Sequence, residues 1–183
     1  MGILTSGGDC AGLNAAIRAV FKHAIVDFGA EVIGIERGTR GLMDRPVAAR
    51  AIERTLFTGE LLRQCGTVVG AVNSGDPFAY PEPDGTTRDR SADVLDGLAD
   101  LRLDALIAIG GDGSLRILKR LSDLGGPPLI AIPNTIDNDV PGTDLCIGYH
   151  TAVATAVETL DRLQPKAPTS AAPMAWPGAG SAI

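Results

Sequence analysis

Two short segments carry the side chains that are best suited to chemistry in this sequence of 183 residues. Gly110–Ser114 (GGDGS) places Asp112 between glycines, and Thr135–Asp139 (TIDND) contains Asp137 and Asp139. Carboxylates beside main-chain N–H groups that glycine leaves accessible are typical of sites that bind a metal-bound phosphate. The structural alternative is that these aspartates shape turns or cap helices by accepting hydrogen bonds from nearby N–H groups.

Each of these segments follows a short apolar run that predicts a β-strand, at Leu106–Ile109 and at Leu129–Ile132. Short apolar runs bounded by Gly or Pro are typical of parallel strands that are covered on both faces. Ligands of parallel sheets bind at the carboxyl ends of the strands, so both acidic segments should face one crevice. We therefore expect an α/β fold, a mostly parallel sheet with helices on both faces in a Rossmann-like three-layer arrangement.

A strand, a glycine-containing turn and a helix are predicted at the start of the sequence. Gly2–Leu4 reads as a strand, the apolar spacing over Leu13–Phe28 indicates a helix, and Gly29 suits its C-terminal end. Gly7 and Gly8 lie in the turn, where free amides and the positive end of the helix dipole favour an anionic oxygen. The alternative is that the two glycines only allow the chain to bend.

Five further elements are predicted along the rest of the chain. Strands are expected at Glu31–Ile35 and Val68–Val72, and helices at Ser91–Leu101 with Ser91 as N-cap, Leu115–Leu124 and Thr151–Leu163. Arg37–Gly59 shows no period on which an element could be based. Asn73–Arg90 is rich in Pro, Gly and Asp and predicts a surface loop.

The composition changes after Leu163. The segment 164–183 has proline at positions 165, 168, 173 and 177, separated mainly by Ala, Gly and Ser. Such a composition predicts disorder. We therefore expect residues 1–163 to form the folded part and residues 164–183 to form a disordered Ala/Pro-rich tail.

The net charge of −6, the sequence pI near 4.8 and the lack of a basic cluster argue against nucleic acid and anionic membranes as partners. No apolar run of membrane-spanning length and no signal peptide are visible, which predicts a soluble, cytoplasmic protein. Cys10, Cys65 and Cys146 are odd in number and widely separated. They are expected to be free thiols in a reducing compartment.

The motifs SGGDCAGLNAAIRAV, IGGDGS, PNTIDND, GTD and TAVATAVETLDRL, in this order, resemble the 6-phosphofructokinases over Gly2–Leu163. Within that family, GDPFAYP resembles the bacterial forms. The resemblance implies a glycolytic transferase that moves a phosphoryl group to the 1-hydroxyl of fructose 6-phosphate and gives fructose 1,6-bisphosphate. It also implies Mg²⁺ as cofactor and, for the intact family, a homo-oligomer.

The resemblance assigns roles to individual positions. Asp137 matches the catalytic base, Asp112 and Asp139 match the magnesium site, and Thr135, Ile136 and Asp137 match positions that bind the sugar phosphate. The positions that match the donor site are Gly7, Asn73, Gly111, Asp112, Gly113 and Ser114. Arg18 and Lys22 lie one helical turn apart, where the family has an effector site; a solvated helix face is the alternative.

The phosphoryl donor depends on Gly113 and Asn134. Gly113 resembles the ATP-dependent members, because pyrophosphate-dependent members usually carry aspartate there. Asn134 stands where many ATP-dependent enzymes have glycine and pyrophosphate-dependent ones have lysine, and Asn73 replaces an arginine of a common ATP-type pattern. We expect ATP as donor, with pyrophosphate as the alternative.

In the family, the chain continues past the helix that ends at Leu163 into a second half that supplies arginines to the site. The sequence shows none of this, which predicts a truncated or frameshifted chain with impaired turnover. One alternative is an inactive fragment that binds nucleotide or magnesium phosphate. Another is a different GGDG-containing kinase, of NAD or of a lipid.

Overall fold

A computed structural model describes residues 1–57, 59–64, 66–72 and 75–163. The strands are β1 (Gly2–Ser6), β2 (Ile33–Ile35), β3 (Ala49–Ala51), β4 (Tyr80–Pro81), β5 (Thr87–Arg88), β6 (Leu106–Gly110), β7 (Leu129–Thr135) and β8 (Ile147–Gly148). The α-helices are α1 (Leu13–Phe28), α2 (Gly38–Met43), α3 (Ser91–Asp100), α4 (Asp112–Asp123) and α5 (Tyr149–Leu163). Short 3₁₀ helices lie at Arg54–Leu56, Leu61–Arg63 and Pro77–Ala79. The tail 164–183 and Cys65 lie outside the described residues, so the predictions for them stay predictions.

The main sheet has the strand order β3-β2-β1-β6-β7-β8. All its pairs are parallel except β2–β3, so the predicted mostly parallel sheet is confirmed. Strands β4 and β5 form a separate antiparallel pair. In the centre, Ser6 is in register with Gly110, which is in register with Pro133. The three central strands therefore end at the same edge of the sheet.

Helices cover both faces of β1 and β6, as predicted. Ile3 and Leu4 on β1 are both fully buried, and they point to opposite faces, as successive strand residues do. Ile3 packs in a cluster with α1, and Leu4 packs in a second cluster with α2, α3 and α4. Burying one such side chain contributes about 1.5–3 kcal/mol. These two clusters fix the position of the sheet between its helices.

The part of the sheet that contains β7 is not covered by helices in this way. Ile130 on β7 is 54% exposed, and α5 buries none of its residues, with Val157 at 52% and Leu160 at 63% exposure. The prediction that Leu129–Ile132 is covered on both faces is therefore wrong for the described part of the chain, because no described helix packs over Ile130.

The strand predicted at Val68–Val72 is also wrong. Gly70 has φ +70°, and its N–H closes a turn on the carbonyl of Thr67. Val69 accepts one main-chain hydrogen bond from Arg37, but no ladder forms. A left-handed residue in the middle of five prevents the extended conformation that a strand requires.

The start of α3 and the end of α1 test two predicted helix boundaries. Ser91 is the first residue of α3 and not its N-cap, which is Arg90. The Asp89 carboxylate accepts the Ser91 N–H at 2.9 Å. Bonds from the Ser91 hydroxyl and N–H lower the pKa of the Asp89 carboxyl. At the C-terminal end of α1, the prediction for Gly29 is confirmed. Gly29 has φ +60°, and its N–H bonds to carbonyls of the last turn.

Other boundaries differ from the predicted ones by two or three residues. α4 begins at Asp112 and not Leu115, α5 begins at Tyr149 and not Thr151, β2 begins at Ile33 and not Glu31, and β7 continues past Ile132 to Thr135. The extension of β7 follows from its pairing with β8. α2 and β3 lie in Arg37–Gly59, where the sequence shows no period, and β4 and β5 lie in the predicted loop Asn73–Arg90. No helix within the described ranges has the length and apolar content needed to cross a bilayer.

Candidate functional site

A cleft of about 510 Å³ opens where β1, β6 and β7 end. Its lining includes the predicted carboxylates Asp112, Asp137 and Asp139. The prediction that both acidic segments face one crevice is therefore confirmed. α4 begins at Asp112 on this cleft, so the free N–H groups and the positive dipole end of the helix lie at the site.

Asp112 is the first residue of α4, and its carboxylate is paired within the helix. Its Oδ2 accepts a hydrogen bond of 2.7 Å from Nε of Arg116, one turn later. The Asp112 side chain is 32% exposed and that of Arg116 is 69% exposed. An ion pair this exposed contributes little to stability, so Asp112 remains accessible to a ligand of the cleft.

The Thr135–Asp139 segment is held by its own side chains. The Thr135 hydroxyl accepts the N–H of Asp137 at 3.1 Å and donates to Oδ1 of Asp139 at 3.4 Å. Asn138 has φ +54°, and its Oδ1 accepts the N–H of Cys146 at 2.8 Å. Asp137 is exposed, and no described residue donates a hydrogen bond to its carboxylate. This carboxylate is therefore accessible to a ligand of the cleft.

The glycines of the cleft divide into two kinds. Gly7 has φ +102°, and a Cβ added to it would lie 3.0 Å from Oγ of Ser114, so the protein itself requires glycine there. A Cβ added to Gly8 or Gly113 would meet nothing within 4 Å, although both residues line the cleft. Gly111 caps α4. Gly8 and Gly113 leave the main chain open to an approaching ligand.

Two cleft residues were missed by the sequence analysis as site residues, Asp9 and Cys10. Burial raises the pKa of the Cys10 thiol, and the negative charges of Asp9 and Asp137 raise it further. Cys10 is a free thiol, as predicted, and so is Cys146. The signal in the sequence that could have identified Asp9 and Cys10 was their position directly after Gly7 and Gly8.

Other predicted residues lie at the edge of the cleft or elsewhere. Asn134 and Ile136 are in the lining, where Asn134 is buried and Ile136 is 54% exposed. Asn73 lies outside the described residues. Arg18 and Lys22 line a different cavity of about 300 Å³. Arg54 joins them there, but the choice between an effector site and a solvated surface stays a prediction.

The acidic residues fit a magnesium ion that arrives with a phosphate. In the described part of the chain, no three His, Cys, Asp or Glu side chains are grouped closely enough to form a metal site. Mg²⁺ usually binds one or two carboxylates together with substrate phosphates and waters, so a complete protein cage is not needed. Asp112 and Asp139 in one cleft meet this requirement.

The sequence matches the family model described as Phosphofructokinase over residues 1–174. ATP-dependent 6-phosphofructokinase 1 of Synechocystis sp. is 56% identical over 163 residues, which are 89% of this chain and 45% of that protein. The pyrophosphate–fructose 6-phosphate 1-phosphotransferase of Amycolatopsis methanolica is 40% identical over 167 residues, which are 90% of this chain and 45% of that protein.

A solved structure gives the same result for the fold. The crystal structure of Pichia pastoris phosphofructokinase in the T-state is similar with a TM-score of 0.74 and 27% identity, over 91% of this chain and 18% of that chain. This chain spans about 45% of the length of the two bacterial relatives. The family match favours this family over the other GGDG-containing kinases. The chain belongs to the phosphofructokinase family.

Proposed function

We propose that this chain forms the donor-binding and base-bearing part of an ATP-dependent 6-phosphofructokinase. The reaction transfers a phosphoryl group from ATP to the 1-hydroxyl of fructose 6-phosphate and gives fructose 1,6-bisphosphate. The supporting observation is that Asp112, Asp137 and Asp139 share one cleft with the open glycines Gly8 and Gly113.

Asp137 is the proposed general base. It accepts the proton of the sugar hydroxyl as that oxygen attacks the terminal phosphorus of the donor. Its carboxylate is exposed and receives no hydrogen bond from a described residue, while Thr135 fixes its main chain. A base positioned in this way contributes a factor of about 10²–10⁴ to the rate.

The charge of the cleft supports a requirement for a metal ion. Asp9, Asp112, Asp137 and Asp139 line it, and no lysine or arginine is among its described lining residues. A polyphosphate would be repelled by four carboxylates unless a cation accompanies it. We propose that Asp112 and Asp139 would hold Mg²⁺, which would supply positive charge to offset that of the donor phosphates.

The donor is proposed to lie along the glycine-containing segments. Gly7, Gly111 and Ser114 shape the main chain there, and Gly113 leaves space beside the start of α4. This space suits the phosphates of ATP, and Gly113 is the position that we propose to influence which donor binds. Pyrophosphate is the second candidate, because the Amycolatopsis methanolica relative is named for it.

The extent of turnover is a separate question. Arginines that stabilise the transition state of phosphoryl transfer contribute factors of about 10³–10⁵, and the described lining of this cleft contains none. Binding of MgATP with turnover slowed by such a factor is therefore the form in which the chain alone is expected to show its function.

The test is a pair of measurements on the full chain. Calorimetric titration with MgATP and with magnesium pyrophosphate measures donor binding, and a coupled assay measures fructose 1,6-bisphosphate formation. Saturable MgATP binding that EDTA abolishes is expected. Absence of binding to either donor would overturn the proposal, and binding of pyrophosphate alone would favour the second candidate.

The proposed function also implies a cellular location, two substrates and an assembly. A glycolytic kinase would work in the cytoplasm on fructose 6-phosphate and ATP. Homo-oligomeric assembly is proposed only by analogy with the intact family.

A further inference from the structure

A buried asparagine connects three elements that border the cleft. Asn134 lies on β7 and is 3% exposed. Its Nδ2 donates to the carbonyl oxygen of Ile147 on β8 at 3.0 Å and to that of Ala11, between β1 and α1, at 3.4 Å. Both neighbours are carbonyl oxygens, so the nitrogen and not the oxygen of the amide faces them.

Neither polar atom of this side chain is free to contact a donor phosphate. Nδ2 is engaged by the two carbonyls, and Oδ1 is buried without a hydrogen-bond partner among the described residues. A buried acceptor without a donor is unfavourable. The favourable contacts of Asn134 are therefore directed to Ala11 and Ile147 and not to the open cleft.

The contact between β8 and the loop after β1 is tight. Gly148 has φ +102°, and a Cβ added to it would lie 2.0 Å from Sγ of Cys10 and 3.1 Å from the carbonyl oxygen of Ala11. The Cys10 thiol also points at the carbonyl oxygen of Ile147, at 3.8 Å. The Cys10 thiol therefore lies at the contact that Asn134 holds together.

We propose that Asn134 is a positioning residue that holds the segment from Gly7 to Ala11 against β7 and β8, in the shape that the main-chain amides of residues 8–10 need to receive the donor phosphates. This inference rests on the proposed function. Because Asn134 acts through Ala11 and Ile147, its loss should weaken binding of ATP and of pyrophosphate by the same factor.

The test uses the reactivity of Cys10 as a readout that does not depend on catalysis. In the full chain with Cys65→Ser and Cys146→Ala, Cys10 is the remaining cysteine. Its rate of reaction with Ellman's reagent is measured with and without Asn134→Ala. Loss of both hydrogen bonds of the Asn134 amide should accelerate labelling by about fivefold or more. Asn134→Asp, which places oxygen against both carbonyls, should accelerate it further.

Asn14→Ala is the matched control. Asn14 is also buried, at 4% exposure, but its side chain bonds to Leu61, Gln64 and Val68 and not to the loop or β8. Its replacement should leave the Cys10 rate within about twofold of the parent, since additive effects are expected for groups that share no partner. Asn134→Ser, which keeps one donor, replaces Asn134→Ala if the latter does not fold.

Three outcomes would overturn the inference: an unchanged Cys10 rate in both Asn134 variants, equal acceleration by Asn14→Ala, or faster labelling with unchanged dissociation constants for MgATP and magnesium pyrophosphate. A parent chain that binds neither donor would overturn the proposed function. In that case the labelling rates would still decide whether Asn134 holds the loop.

Discussion

The hydroxyl oxygen of Thr135 lies 3.1 Å from the main-chain nitrogen of Asp137 and accepts its N–H. The same hydroxyl donates to Asp139. One side chain at the end of β7 thus fixes the backbone of the proposed base, while the carboxylate of that base has no described donor. Thr135 therefore holds the main chain of Asp137 in place, while the Asp137 carboxylate itself stays available.

Thr135→Val removes this acceptor and should reduce turnover by about tenfold or more, since small misplacements of a catalytic group can cost up to about 10²-fold. Thr135→Ser keeps the hydroxyl and should restore most of the rate. Steady-state assays of fructose 6-phosphate phosphorylation, with thermal melting as the folding control, check this. Equal rates for the Val and Ser variants would contradict the role of the hydroxyl.

Asp137→Asn should lower turnover by about 10²–10⁴-fold, because an amide cannot accept the proton of the sugar hydroxyl. The dissociation constant for MgATP should change little, since donor binding is assigned to other residues. Calorimetry and the coupled assay on the same preparation separate the two quantities. A large loss of MgATP affinity would instead place Asp137 in the donor site.

Gly113→Ala tests whether the space beside α4 is kept for a ligand. The added methyl group meets no protein atom within 4 Å, and alanine is favoured over glycine inside a helix by about 1 kcal/mol, so the melting temperature should hold or rise. The affinity for MgATP should fall, because the methyl group would occupy space that is proposed for the donor phosphates.

Gly97→Ala in α3 is the matched control for Gly113→Ala. A Cβ at Gly97 would lie 2.1 Å from the carbonyl oxygen of Leu42, so this variant should be destabilised whether or not ligand is present. Unchanged MgATP affinity in a stable Gly113→Ala variant would show that the space is not used by the donor.

The reactivity of Cys10 should depend on pH in a predictable direction. Burial, with the charges of Asp9 and Asp137 adding to it, raises the pKa of this thiol, so its alkylation by iodoacetamide should rise at higher pH than that of a cysteine peptide. Its contribution to stability is full below the unfolded-state pKa and is lost as pH rises through the folded-state value. Asp9→Asn should move the profile to lower pH, and a profile at or below that of the peptide would contradict the burial of this thiol.

The apolar face of α5 should govern self-association more than stability. Val157→Glu and Leu160→Glu change side chains that are 52% and 63% exposed, so the melting temperature should change little while light scattering at high concentration decreases. Leu118→Ala in the core is the contrast, with an expected loss of about 2–5 kcal/mol. A large fall in stability for the Glu variants would mean that α5 is packed in solution.

The central part of the fold was predictable because its signals are local. Short apolar runs followed by glycine or aspartate identified β6 and β7, and helical spacing with Gly29 identified α1. The shared crevice then followed from the rule for parallel strands. That Asp112 and Asp137 line one cleft could be predicted from β6 and β7 alone, because each residue comes shortly after one of these strands.

The remainder depends on contacts between distant residues. β3 has three residues and exists because it pairs with β2 in the antiparallel sense, which no local period announces. The role of Asn134 depends on carbonyls at positions 11 and 147, and Cys10 enters the site because Gly148 leaves room for it. Exposure of Ile130 depends on which elements reach β7.

The central position of β1 has a consequence for biosynthesis. Gly2 and Ile3 pair with Leu106 and Ile107, so β1 must wait for the synthesis of about a hundred further residues before this neighbour is available. At translation rates of about 5–20 residues per second, this delay is on the order of 5–20 seconds. During this time the apolar residues of β1 can reach only α1, β2 and other early segments. Folding is therefore expected to be limited by long-range parallel pairing, and the nascent chain is most prone to aggregation before β6 emerges.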